Sequence, residues 1–136
     1  MWAAQAPRER KYGICRCSCV NATGLSLVGV LGVFGLNQRD DLLKEVSSEV
    51  ARASLICLLG TSFVGGLECM PRELAGELAD AFLKDLEQDR SKFYSNGDWV
   101  NSPWSSWNPF TDSVFDGGIL IYGPQIAGCV WVEEDD

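Results

Sequence analysis

The sequence predicts an α+β fold: an antiparallel sheet that includes a C-terminal β-hairpin, packed against two helices, with a long Trp-rich loop. Three observations carry this. Apolar residues in the middle of the chain recur at three- and four-residue steps, the spacing of a helix face. The closing stretch FDGGILIYGPQIAGCVWVEEDD, Phe115 to Asp136, sets two apolar runs on either side of a Gly-Pro turn. Between these parts, Phe93 to Phe115 has no long period but holds Asn-Gly, Ser-Pro and Asn-Pro turn signals.

With 136 residues, 46% hydrophobic and 22% charged, the chain has the size and usage of one globular domain. A domain of this size buries roughly 65–70% of its unfolded surface, so its core needs no disulfide staples. Residues 1–10 read as a flexible basic arm and residues 11–136 as a single α+β domain.

YGICRCSCV alternates in part and reads as a strand, and NATG as a turn. LSLVGVLGVF is apolar and rich in β-branched residues, which favours a second strand and a core hairpin. Basic residues followed by the apolar run Ala22 to Leu36 also outline a targeting segment over residues 1–36. Against that stand the long basic region, the missing small-x-small cleavage site and a run too short to span a bilayer.

The first helix is expected from Asp40 onward, with Leu42, Val46, Val50, Ala53 and Cys57 as its stripe, Asn37 as cap and Gly60 as stop. The second opens at Pro71 and uses Leu74, Leu78, Ala81, Phe82, Leu86 and Phe93, with Asp80 and Lys84 as an i,i+4 pair. FVGG between them lacks the Lys-Ser/Thr of a phosphate loop. The loop that follows carries Trp99, Trp104 and Trp107. Such aromatic density fits an ordered segment, either a lid on the core or a contact surface. In the hairpin, a turn at Gly123 to Gln125 pairs Tyr122 with Ile126 and sets Asp116 near Val132. Asp116, Glu133 and Glu134 then cluster at the end away from the turn, joined by Asp112, Asp135 and Asp136.

Chemistry is bounded by absences. The chain has no histidine, which excludes His bases, His triads and His metal ligands. Cys15, Cys17 and Cys19 alternate on one side of the predicted strand and could meet a soft metal, but they lack the usual pair spacing and a fourth ligand. Cys57, Cys69 and Cys129 lie in apolar surroundings and read as small hydrophobes. The net charge is −8, and residues 93–136 hold seven acids and no Lys or Arg. That disfavours nucleic acid and anionic membrane and favours a cationic partner.

The leading expectation is a non-enzymatic acidic binding protein, an inhibitor or immunity-type partner of a basic protein, without a cofactor. Its contact residues would be Trp99, Trp104, Trp107, Asp112 and Asp116, with Glu133, Glu134, Asp135 and Asp136 as steering charges. The alternative is a divalent-metal hydrolase with Asp112, Asp116, Glu133 and Glu134 around Mg²⁺ or Mn²⁺. A cytoplasmic location is expected, the alternative being export or membrane attachment through residues 1–36.

Overall fold

The computed structural model describes residues 8–9, 11–100 and 107–135. Two short strands open the chain, β1 (Arg8–Glu9) and β2 (Ile14–Asn21), followed by helix α1 (Leu27–Val33). A 3-10 turn at Asp40–Leu42 leads into β3 (Lys44–Val46), α2 (Ser48–Gly60) and α3 (Arg72–Leu86). β4 (Lys92–Ser95), β5 (Phe115–Tyr122) and β6 (Ile126–Glu134) complete it. All strand pairs are antiparallel and the order is β1-β2-β6-β5-β4-β3. The architecture is therefore the expected α+β class with its C-terminal hairpin. No described helix is long and apolar enough to cross a membrane.

The sheet is covered on both faces, as the doubly apolar strands of the hairpin require. On one face α2 and α3 bury Leu55, Leu58, Ala79, Phe82 and Leu86 against Cys17, Phe93, Ile119, Ile121, Val130 and Val132. On the other, Val30, Leu31, Leu36 and Phe110 close over Leu120, Ala127, Cys129 and Trp131. On β5 two adjacent glycines each lie under an indole. A Cβ on Gly117 would stand 2.5 Å from the Trp99 ring, and one on Gly118 would stand 2.3 Å from the Trp131 ring. The pair Gly117-Gly118 thus makes room for one indole on each face.

Four expectations are corrected. LSLVGVLGVF holds a helix, Leu27–Val33, not a strand: Ser26 caps it by accepting from Gly29 N–H at 3.1 Å, and Val30 N–H donates to Ser26 O at 2.9 Å. β2 therefore pairs with the last strand, β6, over Ile14 to Asn21. The first long helix begins at Ser48, because Ser47 caps it by accepting from Val50 N–H at 3.2 Å, while Val46 pairs with Phe93 in the sheet. In α3, Leu74 and Ala81 face solvent, Phe93 belongs to β4, and Asp80 accepts from Arg52 of α2 at 2.6 Å. The hairpin register is shifted by one residue, with Asp116 opposite Glu133 and Phe115 opposite Glu134. Gly123 N–H donates to Ile126 O at 3.0 Å, so the tight turn is Pro124-Gln125.

Candidate functional site

The acids at the open end of the hairpin separate into buried and exposed groups, and the register decides which. Side chains alternate along a strand, so Asp116 and Glu133 share one face and Glu134 lies on the other.

Asp116 is 0% exposed and forms no ion pair among the described residues. Its Oδ1 accepts from Phe110 N–H, Asn96 Nδ2 and Trp131 Nε1, each at 3.1 Å. Its Oδ2 accepts from Thr111 N–H at 3.1 Å and the Thr111 hydroxyl at 2.9 Å. Burial pushes its carboxyl above the ordinary range, while the bonds from Phe110, Trp131 and Thr111 pull the other way. These donors tie the segment after Trp107 to β5. Asn96, read in the sequence as turn chemistry, is 1% exposed and continues the network. Its Oδ1 accepts from Trp99 Nε1 at 3.3 Å and Gly118 N–H at 3.2 Å. Its Nδ2 also donates to the carbonyls of Asn108 and Asp116. Asn96 and Asp116 together satisfy both deeply buried indole N–H groups.

Glu134 and Glu133 serve similar ends. Glu134 accepts from the Ser62 hydroxyl at 2.7 Å and Phe63 N–H at 3.0 Å, holding the turn after α2. Glu133 accepts from Arg16 Nε and from the Ser113 hydroxyl, the latter at 3.1 Å. Arg16 lies between cysteines in CRCSC, so it projects to the face opposite their thiols. That alternation was the available sequence signal for the Arg16–Glu133 pair. Its long-range partner was not legible.

Asp116, Glu133 and Glu134 are at most 6% exposed, which corrects their reading as steering or contact charges. Their carboxylates are spent on internal donors and shielded from an approaching partner. Trp99 is corrected in the same way. It is 1% exposed, edge-on to Phe63 at 5.4 Å between ring centres. Trp107 is half-buried against Phe115 at 6.1 Å, on the α2–α3 side of the sheet. Trp104 and Asp136 lie outside the described residues. Asp112 and Asp135 are exposed.

The four carboxylates proposed as metal ligands do not converge. Glu134 is on the opposite face from Asp116 and Glu133, and Asp116 is filled by N–H and O–H donors. Among the described residues no group of three or more His, Cys, Asp or Glu is placed to hold a metal ion, which covers Cys15, Cys17 and Cys19 as well. All six cysteines are thiols. Cys129 is buried in an apolar cluster, and burial raises its pKa, so it acts as a small hydrophobe.

What remains at this end is a cleft of about 580 Å³. Arg16, Asn37, Thr111, Asp112, Ser113, Glu133 and Asp135 give it a polar wall, and Leu36 and Phe110 an apolar floor. Its lining cation, Arg16, is held by Glu133. Asp135 accepts from Val114 N–H at 2.8 Å, which fixes its carboxylate at the rim. No protein-family model, curated protein or solved structure matches the chain.

Proposed function

We propose that this is a non-enzymatic binding protein whose cleft at the open end of the hairpin receives a cationic side chain of a basic protein partner. One observation carries the reading. The exposed carboxylates of Asp112 and Asp135 flank a cleft whose lining cation is already neutralised by Glu133. The field at the mouth is therefore negative, and charges of this kind act mainly on the rate of encounter. Residues 93–136 hold no Lys or Arg to oppose it. The apolar floor of Leu36 and Phe110 suits the methylene stem of a Lys or Arg. The buried acids support the reading indirectly, since they hold the cleft walls at Thr111 and Ser113 in place.

The experiment is a kinetic one. Basic proteins are passed over the immobilised chain, and any binder is re-measured with Asp112→Asn/Asp135→Asn. Slower association at low salt, converging with wild type as salt rises, is the expected outcome. Association unchanged at low salt would remove the cleft from the interface.

A further inference from the structure

A second concavity, of about 310 Å³, lies at the other end of the hairpin beside its turn. It is separated from the acidic cleft by the length of β5, roughly 20 Å. Its character is opposite. Leu25, Tyr94, Tyr122 and Pro124 give it flat apolar walls, and Arg90 and Lys92 bring two cations to its edge.

Three features set this place apart. First, Arg90 and Lys92 line the same concavity and neither forms an ion pair among the described residues. Two unneutralised cations at one concavity are conspicuous in a chain of net charge −8. Second, Arg90 has φ +66°, the only non-glycine residue of positive φ among those described. Glycine would adopt that conformation at lower cost, so the fold keeps a guanidinium there against local preference. Third, the walls are fixed. Tyr122 donates its hydroxyl to the Leu25 carbonyl, and Gln88 N–H donates to the Ser91 hydroxyl at 2.8 Å across the turn that carries Arg90. Glu45 is paired with Tyr94 across β3 and β4, so an anion is expected at the Arg90–Lys92 end of the concavity, away from it.

We infer that this concavity binds a small organic oxyanion. Its charged group would sit on Arg90 and Lys92 and its flat apolar body against Tyr94, Tyr122, Leu25 and Pro124. A guanidinium fork and an ammonium suit both phosphate and carboxylate heads, and a mostly apolar wall with few polar groups suits the body. The size admits a single ring with its head group rather than a dinucleotide.

The test is a backbone-amide NMR titration of the full chain with phenyl phosphate, benzoate, phenol and inorganic phosphate. Phenyl phosphate or benzoate should shift amides around Tyr94, Tyr122 and Arg90, and the tighter of the two identifies the head group. Arg90→Gly/Lys92→Gln should weaken that binding about tenfold or more, as expected for loss of charge-assisted bonds. Arg90→Gly relieves the positive φ, so the variant keeps its fold, and its unperturbed spectrum elsewhere checks this. No shifts with either aromatic anion would overturn the inference. So would equal affinity in the variant, or phenol or inorganic phosphate binding as tightly as the aromatic anions.

Discussion

Asp116→Ala removes the acceptor that holds the Trp107–Val114 segment against the sheet. The Thr111 hydroxyl can turn to water, and Asn96 Nδ2 keeps two backbone carbonyls at 2.9 and 3.0 Å. Three donors are left without partners: the buried Phe110 N–H and Trp131 Nε1, and the half-buried Thr111 N–H, which water can reach more easily. Each unmet buried donor costs about 1–3 kcal/mol, so the loss falls near 3 kcal/mol once some water enters the vacated space. Asp116→Asn is expected to cost about 2 kcal/mol, because either orientation of the amide turns its NH₂ toward N–H donors. Both losses leave a folded protein if the parent has the usual stability of about 5–15 kcal/mol. Urea unfolding followed by tryptophan fluorescence measures them, with an unchanged m value as the check on two-state behaviour. Amide exchange should quicken first at Phe110 and Thr111. A loss below about 1 kcal/mol for the alanine variant would refute the reasoning, since a satisfied buried network cannot be removed so cheaply.

Three further outcomes follow from the same geometry. Gly117→Ala should destabilise by about 1–3 kcal/mol or more through overpacking, because its Cβ meets the Trp99 ring at 2.5 Å and Leu58 at 2.9 Å; thermal melts check it. Ser54→Ala should be neutral or stabilise by up to about 1 kcal/mol, since its hydroxyl is 1% exposed and finds no hydrogen-bond partner among the described residues; the same melts decide. A side-chain carbon NMR titration should find Asp116 above the usual carboxylate range and Asp80, held by Arg52, below it. The stability drawn from Asp116 is then complete below its unfolded value of about pH 4 and falls as pH rises through the folded value. For Asp80 the sign reverses: its contribution is present above that value and is lost as pH falls, and Arg52→Gln should return its midpoint to the usual range.

The parts of the fold legible in the sequence were those with strong local signals. α3 announced itself through Pro71, and the hairpin through two apolar runs around a Gly-Pro turn. α1 was hidden because Leu27 to Val33 is apolar and rich in valine, and only Ser26 as a possible cap marked a helix. β3 was read into α2 because Leu42 and Val46 continue its stripe, yet strand pairing with β4 outweighed the local pattern. The candidate site depended on a one-residue register difference. A turn at Gly123 to Gln125 sets Asp116 beside Val132 and so on the face of Glu134, whereas Pro124-Gln125 sets it beside Glu133 and puts Glu134 on the opposite face. No local signal told a buried, hydrogen-bonded Asp116 from an exposed Asp112 four residues earlier. That difference comes from Phe110, Asn96 and Trp131 closing over one of them.

The central claim is that Asp112 and Asp135, and not the buried acids, face the partner. An amide NMR titration with a short arginine-bearing peptide at low salt tests it most directly. Shifts should gather at Asn37, Asp112, Ser113 and Asp135, vanish in Asp112→Asn/Asp135→Asn, and fade as salt shortens the screening length below about 10 Å. Shifts that persist in the double variant, or that map to the far side of the sheet around Trp107, would contradict the account.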